Sequence, residues 1–393
     1  MLPIAIHADR AFTPFEEISD AVIVIQGSKI SAVGPRGKVA MPRGAREISA
    51  KGKTVVPGFV DVHIHGAGGH DVMEGTPEAL EIVAATVAAH GTTSLVATTV
   101  TASEMGTCRS VADIANFILN EGPSPTRDLS AEILGIHFEG PFISHARRGV
   151  HPPEWIAAPS PAMLQRFLAE ARGTGLILTL APELPGAMEL IAVARAAGLV
   201  VSLGHTDANH EQALAAIAAG ARHAAHVFNA MRPFTHRETG VLGAVFTSPD
   251  VSAELIADGV HVDSAAIRML LGLKSADRVI LVSDGISATG MPDGKFQLGT
   301  FQVTVSKGVC RNAEGKLAGS TLTLDRALRN IVALGVPLSS ALQMVTSNPA
   351  RQIGLISRKG VLAAGADADL VFLDANLEVS GVMTRGAGFT MPT

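Results

Sequence analysis

The chain of 393 residues has no tyrosine, a single tryptophan and only two cysteines. Cys108 and Cys310 match no metal-type spacing. A disulfide framework is therefore excluded, and a reducing cytoplasm is the expected compartment. No apolar run approaches the roughly 18 residues of a membrane span. The opening MLPIAIHADRAF has no basic region followed by an apolar one, so no secretory signal is expected. There is no block of five or more basic residues, and 31 basic against 36 acidic residues leave a formal charge of −5. Nucleic acid is not an expected partner. Lysine is missing from the whole stretch between Lys53 and Lys274.

What is present is core material, turns and histidine. The composition is 47% apolar and 17% charged, which is globular and not disordered. Forty glycines and 21 prolines imply many tight turns, and there are 14 histidines. The length allows two or three domains, or one α/β barrel of roughly 250 residues with a smaller unit.

Both ends of the chain read as short strands. AVIVIQGSKISAVG holds two β-rich runs broken by Gly-Ser, a hairpin signal, and GVLAAGADADLVFLD repeats the texture near the end. Residues 1–57 and 357–393 are expected to pair into one small β-sandwich domain, with 58–356 inserted between them. In that middle, apolar runs of four to seven residues alternate with Ala-rich segments of helical spacing. TPEALEIVAATVAAHG, for example, has a Thr before its first turn and a Gly after its last. Eight such strand-like runs predict a parallel sheet closed as a (β/α)8 TIM-type barrel. A doubly wound open sheet is the alternative, but no G-x-G-x-x-G follows an early strand.

The strand ends carry the chemistry. The first run ends in His63 and His65, which share a face because strand residues alternate. The third ends in Glu139, the fifth in His205, the sixth in His226 followed by Asn229, and the last in Asp284. Barrel enzymes place their sites at these C-terminal strand ends. Four His, a Glu and an Asp converging there predict a shell for one or two divalent metals. Glu139 lies between an apolar strand and Gly-Pro, where an unpaired carboxylate would be costly. Asp284 has a duller reading as a turn cap before Gly285. His90, His137, His210 and His223 are read as structural.

This pattern resembles the amidohydrolase superfamily, with HxH on strand one, His on strands five and six, and Asp on strand eight. Many members bridge two metals with a carboxylated Lys on strand four. The lysine gap removes that ligand, and Glu139 fits as its replacement. HFEGPF, GVH at 149–151, LGHTDA, AAHVFNAMRP, IADGVHVD, LVSDG and LAGSTLTL follow in order. Together they resemble the N-acetylglucosamine-6-phosphate deacetylase family over nearly the whole chain. The resemblance implies Glu139, His205 and His226 as principal metal ligands, with His63 and His65 leaving one or two metals open. It implies Asp284 as general base and then acid toward a metal-activated water. His151, Asn229, Ala230, Arg237, His261, Leu317, Ala318 and Gly319 match the family's substrate contacts. Zinc is the first expectation for the metal, with iron, manganese, cobalt or nickel as alternatives. The family also implies a homodimer in which Arg237 and His261 reach the neighbouring active site. Arg147 and Arg148 are read as a solvated loop. The competing readings are the galactosamine epimer, another amide substrate, or a non-catalytic scaffold. The last requires a missing catalytic position, and none is missing.

Overall fold

A computed structural model gives the fold and describes residues 2–121 and 129–388. The chain opens with β1 (Ile4–Phe12), β2 (Glu17–Gln26), β3 (Lys29–Pro35) and β4 (Arg46–Pro57). The Gly-Ser turn forms as expected between β2 and β3, with Gly27 at φ 61°.

The alternating segment follows. It begins with β5 (Phe59–Ile64), the two-residue strands β6 (Gly66–Ala67) and β7 (His70–Asp71), α1 (Pro77–Ala88), β8 (Thr92–Thr99) and α2 (Glu104–Asn116). It continues with β9 (Glu132–Glu139), α3 (Pro161–Ala171), β10 (Gly175–Leu180), α4 (Ala187–Ala196), β11 (Val200–Leu203) and α5 (His210–Ala219). It ends with β12 (His223–Ala224), α6 (Gly240–Thr247), β13 (Ser252–Leu255), α7 (Ser264–Leu273) and β14 (Val279–Leu281). Local signals start the helices where expected: the Thr76 hydroxyl accepts the Ala79 N–H at 3.2 Å, and Pro77 occupies the first turn of α1.

Strands β5 and β8 to β14 form one parallel sheet in the order β14-β13-β12-β11-β10-β9-β8-β5. It closes beyond β14, where the Asp284 N–H donates to His63 O at 2.9 Å and the His65 N–H to Gly285 O at 2.8 Å. Every residue of β5 and β8 is buried. That is why these strands read as continuous apolar runs: helices cover the outside and side chains fill the inside. The barrel is therefore present as the sequence pattern requires.

After β14 comes an antiparallel sheet of β15 (Gly294–Leu298), β16 (Phe301–Ser306) and β17 (Val309–Asn312). The sequence reading did not foresee it. It packs Val100, Ile286, Leu298, Val303 and Ala318 into a small apolar cluster beside the strand ends. Helices α8 (Leu324–Ala333), α9 (Leu338–Val345) and α10 (Ser347–Gln352) then lead to β18 (Leu370–Leu373) and β19 (Val379–Met383).

The two ends of the chain share one sheet, ordered β19-β18-β4-β1-β2-β3, with β1 parallel to β4 and the other pairs antiparallel. Lys29 bridges to Asp367 just before β18, so the sheet curls back on itself. Ile6, Ile23, Ile25, Leu370 and Phe372 fill its interior. Lys359 joins this sheet to the barrel. Its fully buried ammonium lies 2.7 Å from Glu132, 2.8 Å from Asp367 and 2.7 Å from Asp369. Glu132 begins β9, the strand that ends in Glu139.

Candidate metal centre and active site

The ends of five barrel strands deliver imidazoles and carboxylates to one cavity. His63 closes β5 with His65 just beyond it, Glu139 ends β9, and His205, His226 and Asp284 follow β11, β12 and β14. His205, His226 and Asp284 hold φ of 47°, 28° and 48°, and Ala230 holds 50°. Such left-handed backbone costs of order 1–3 kcal/mol per residue and tends to gather where side chains must be aimed.

The geometry centres on Glu139. Its Oε1 lies 3.0 Å from His226 Nε2, 3.1 Å from His205 Nε2 and 3.2 Å from His63 Nε2. Its Oε2 lies 3.4 Å from both His65 Nε2 and His151 Nε2. Asp284 Oδ1 stands 3.2 Å from His65 Nε2 and 3.7 Å from His63 Nε2. His205 Nε2 and His226 Nε2 are 3.1 Å apart.

The far side fixes the tautomer of three of these rings, while His226 Nδ1 is buried without a hydrogen-bond partner. His63 Nδ1 donates to Glu254 Oε2 at 2.8 Å, His65 Nδ1 to Thr98 O at 3.0 Å, and His205 Nδ1 to Arg147 O at 3.0 Å. A ring that donates through Nδ1 carries a bare lone pair on Nε2 when neutral. Three such lone pairs therefore face carboxylate oxygens, and His63 Nε2 is buried without a hydrogen-bond partner. Lone pairs on both sides of a gap need a positive charge between them. Imidazoles oriented by a carboxylate or a carbonyl behind them are the usual ligands of a divalent cation. Thus the donor set fits a metal, and Glu139, His63, His65, His205, His226 and Asp284 would hold it.

His151 is the opposite case. The Thr101 backbone N–H donates into its Nδ1 at 3.3 Å, and the Thr101 hydroxyl sits 2.8 Å from the same nitrogen. The ring proton is thereby placed on Nε2, facing the cavity. Gly140 permits this arrangement, because a Cβ there would collide with the Thr101 hydroxyl.

Titration follows from the same contacts. Burial pushes the Glu139 carboxyl up, but His63, His151 and His205 together draw it well below the ordinary carboxylate range. For Asp284, burial is likewise outweighed by His65 and His63, and the net shift is downward. Burial first and then the charge of His151 take His205 down to about 4. Burial depresses His63, but Glu254 and Glu139 reverse this and raise it well above its ordinary value.

The cavity, of about 180 Å³, also exposes Asn229, Ala230, His261, Leu317 and Gly319 on its walls. These predicted residues meet in one place. Ala318 does not line the cavity and packs into the apolar cluster of the β15–β17 sheet. His261 lines this chain's own cavity, held by Asp258 Oδ2 at 2.7 Å. Arg147 is not a free solvated residue: it pairs with Asp207 at 2.7 Å, and Arg232 meets the same carboxylate at 3.0 Å. Arg237 is exposed in the loop before α6 and is not among the described residues that line the cavity.

Of the histidines read as structural, His137 bonds Thr179 at 2.7 Å and is driven down to about 3 by burial and by His63. His90 and His210 lie away from the cavity, against Asp325 and Thr239. His223 bonds Glu254, a buried residue that sequence reasoning missed, as it missed Thr101. The only signal for Glu254 is a carboxylate inside an apolar strand run, AELIA. A larger cleft, of about 490 Å³, runs past Arg195, Arg222, Arg278 and Arg351 and has no imidazole in its walls.

Comparison with known proteins agrees with this architecture. The amidohydrolase family pattern matches residues 54–387. The N-acetylglucosamine-6-phosphate deacetylase of Lysinibacillus sphaericus is 38% identical over 345 residues, 88% of this chain and 87% of that protein. The N-acetylgalactosamine-6-phosphate deacetylase of Escherichia coli O157:H7 is 35% identical over 97% of this chain and 98% of its own length. Among solved structures, an N-acetyl-D-glucosamine-6-phosphate deacetylase mutant from Mycobacterium smegmatis, in complex with N-acetyl-D-glucosamine-6-phosphate, superposes with a TM-score of 0.92. It is 38% identical, and the match covers 100% of both chains.

Proposed function

The chain belongs to the amidohydrolase family, and from that premise we propose that it hydrolyses the N-acetyl amide of N-acetyl-D-glucosamine 6-phosphate. Water is consumed, the C–N bond breaks, and glucosamine 6-phosphate and acetate are released. One observation carries the reading. Three Nε2 atoms converge within 3.2 Å on one oxygen of Glu139, beside Asp284 and the donor ring of His151, in one cavity.

An amide is a weak electrophile with a poor leaving group. A divalent cation bound at Glu139, His205 and His226, with His63 and His65 beside them, supplies Lewis acidity and lowers the pKa of a water toward neutrality. Zinc is our first assignment for it. Asp284 faces the cavity as a carboxylate and accepts the proton of the attacking water. It then returns that proton to the sugar nitrogen as the C–N bond breaks. His151 presents Nε2–H to the acetyl oxygen, where negative charge develops. Asn229 and the Leu317 and Gly319 walls position the sugar.

The phosphate calls for a cation. His261, backed by Asp258, is one donor, but no Arg or Lys is among the described residues lining the cavity. We assign the missing charge to Arg237 of a second copy, which makes the enzyme a homodimer. Its planar fork suits phosphate oxygens. Both cysteines are free, in keeping with a cytoplasmic enzyme, and no helix among the described residues is long and apolar enough to cross a membrane.

A second reading, the galactosamine epimer, draws on the likeness to the Escherichia coli O157:H7 protein. Acetate release decides between them. The two N-acetylated sugar phosphates and the free sugar are offered to chelated and metal-restored protein. Metal-dependent turnover of the glucosamine substrate alone is expected. Turnover of the galactosamine substrate alone would transfer the assignment, and no turnover with any metal would overturn the reaction.

A further inference from the structure

The cleft of about 490 Å³ opens at the end of the barrel opposite the metal centre. Val200 and Ser252 in its walls begin β11 and β13, and Arg222 and Arg278 immediately precede β12 and β14. His205, His226 and Asp284 follow the other ends of three of these strands. The reaction as written above makes no use of this cleft, yet its volume falls in the roughly 300–1,000 Å³ of small-molecule sites.

Its charge is one-sided. Arg195 in the last turn of α4, Arg222, Arg278 and Arg351 on α10 line it, against only the carboxylates of Asp250 and Asp277. Arg195, Arg222 and Arg351 form no ion pair among the described residues, and Arg278 meets Asp277 only at 3.7 Å. A concave wall carrying an excess of one charge focuses its field on ions of the other.

The guanidiniums are also held in place. Arg195 Nη1 donates to Ala219 O at 3.0 Å, and Arg222 Nη1 to Ile217 O at 2.7 Å and Ala221 O at 2.8 Å. These carbonyls close α5, so one nitrogen of each fork caps a helix and the others stay uncommitted. Gly220 makes room for this, because a Cβ there would collide with the Arg195 guanidinium. Gln352 Nε2 donates to Arg222 O at 3.3 Å, and Asn348 Nδ2 to Ala276 O at 2.8 Å and Val279 O at 2.9 Å. Helix α10, which carries Arg351, is thus tied both to the segment of Arg222 and to that of Arg278. Helix capping accounts for the placing of Arg195 and Arg222. It gives no reason for Arg278 and Arg351 to converge on the same cleft.

We propose that this cleft is a binding site for a small anion bearing a diphosphate group. Planar forks anchored from behind and unpaired in front suit phosphoryl oxygens. Four of them, from four separate elements, call for more charge and span than one phosphate offers. The described residues of the walls include no aromatic ring on which a base could stack. The inference is independent of which amide the metal centre cleaves.

Inorganic pyrophosphate is the probe, offered to the zinc-loaded full chain in a calorimeter. It should bind at least about tenfold tighter than orthophosphate. Arg195→Met and Arg351→Met, taken separately, should each weaken it about 10- to 100-fold, the scale of one charge-assisted contact. Arg351→Lys, which keeps the charge and loses the fork, should fall between. Phenylglyoxal labelling of wild type, mapped by peptide mass spectrometry, should show pyrophosphate shielding Arg195, Arg222 and Arg351 and sparing the exposed Arg109. That readout stands even if a variant does not fold. ADP is the second probe. Pyrophosphate binding as tightly as ADP is expected and identifies the free anion as sufficient, whereas tighter ADP would make a nucleotide the source of the same diphosphate. No binding of pyrophosphate at millimolar concentration would overturn the inference. So would equal affinity for orthophosphate, wild-type affinity in both Met variants, or shielding confined to arginines outside the cleft.

Discussion

Replacing Asp284 with Asn removes one charge and one proton acceptor while leaving shape and backbone nearly intact. The backbone matters, because Asp284 sits at φ 48°. Asn is one of the few residues that tolerates this region, whereas Ala would add a strain of about 1–2 kcal/mol. The introduced amide can donate through its nitrogen to the bare Nε2 of His65, across the 3.2 Å gap that Asp284 now spans. Proton transfer by a positioned group contributes about 10²- to 10⁴-fold to rate. At 1.36 kcal/mol per tenfold, that corresponds to about 3–5 kcal/mol of barrier. The Asp284→Asn variant should therefore lose about 10²- to 10⁴-fold in kcat with KM within a few-fold of wild type, read by acetate release at saturating substrate. Asp284→Ala should lose a similar factor in rate and, in addition, melt lower. A kcat within tenfold of wild type in the Asn variant would refute the assigned proton shuttle, whatever its metal content.

Three further outcomes follow from the same geometry. Glu139→Gln removes the charge on which three Nε2 atoms converge, so equilibrium metal content should fall at a fixed zinc concentration; a fully metallated, active variant would exclude Glu139 as a ligand. Arg237→Ala should raise KM for the sugar phosphate and leave the free sugar untouched, and an unchanged preference for the phosphorylated sugar would remove Arg237 as the phosphate clamp. Lys359→Met leaves Glu132, Asp367 and Asp369 without their shared buried cation, so unfolding stability should drop by about 3–5 kcal/mol, and a loss under about 1 kcal/mol in urea titrations would contradict this. Burial raises Glu132 and Asp367 but Lys359 draws both below their ordinary 4.5 and 3.8, so the wild-type stabilisation is full above those values and is lost as pH falls through the lowered folded ones; melts between pH 3 and 7 should show that loss, and the Met variant should show less of it.

The barrel was legible because parallel strands buried on both faces leave continuous apolar runs, and TPEALEIVAATVAAHG and its like mark the helices between them. The convergence of His63, His65, Glu139, His205, His226 and Asp284 was legible because all stand where an apolar run stops. Other features left no comparable trace. The β15–β17 sheet depends on register among residues 294–312, and the alternation there is short. Glu254 lies within an apolar run and not at its end, so its role emerges only when β13 is set beside β12. Thr101 acts through its backbone N–H and its hydroxyl together, and a threonine just past a strand is too common to advertise either.

Five imidazoles crowd one carboxylate; the four with a partner behind them are not interchangeable, and the difference lies in that partner. Acceptors stand behind His63, His65 and His205: a carboxylate, then the carbonyls of Thr98 and Arg147. A backbone N–H stands behind His151. An acceptor there turns the inner nitrogen into a lone pair, and a donor there turns it into an N–H. The first kind binds a cation, and the second stabilises an anion. Hydrolysis of an amide needs both within a few ångströms, because the attacking water must lose a proton while the carbonyl oxygen gains charge. A single residue type can serve both needs only if the scaffold assigns its tautomers. Here the barrel makes the assignment mostly with main-chain groups, which point mutation cannot remove. Glu254 is the exception, the one side chain among the three acceptors, and it is therefore a place where substitution can alter the centre without touching a ligand.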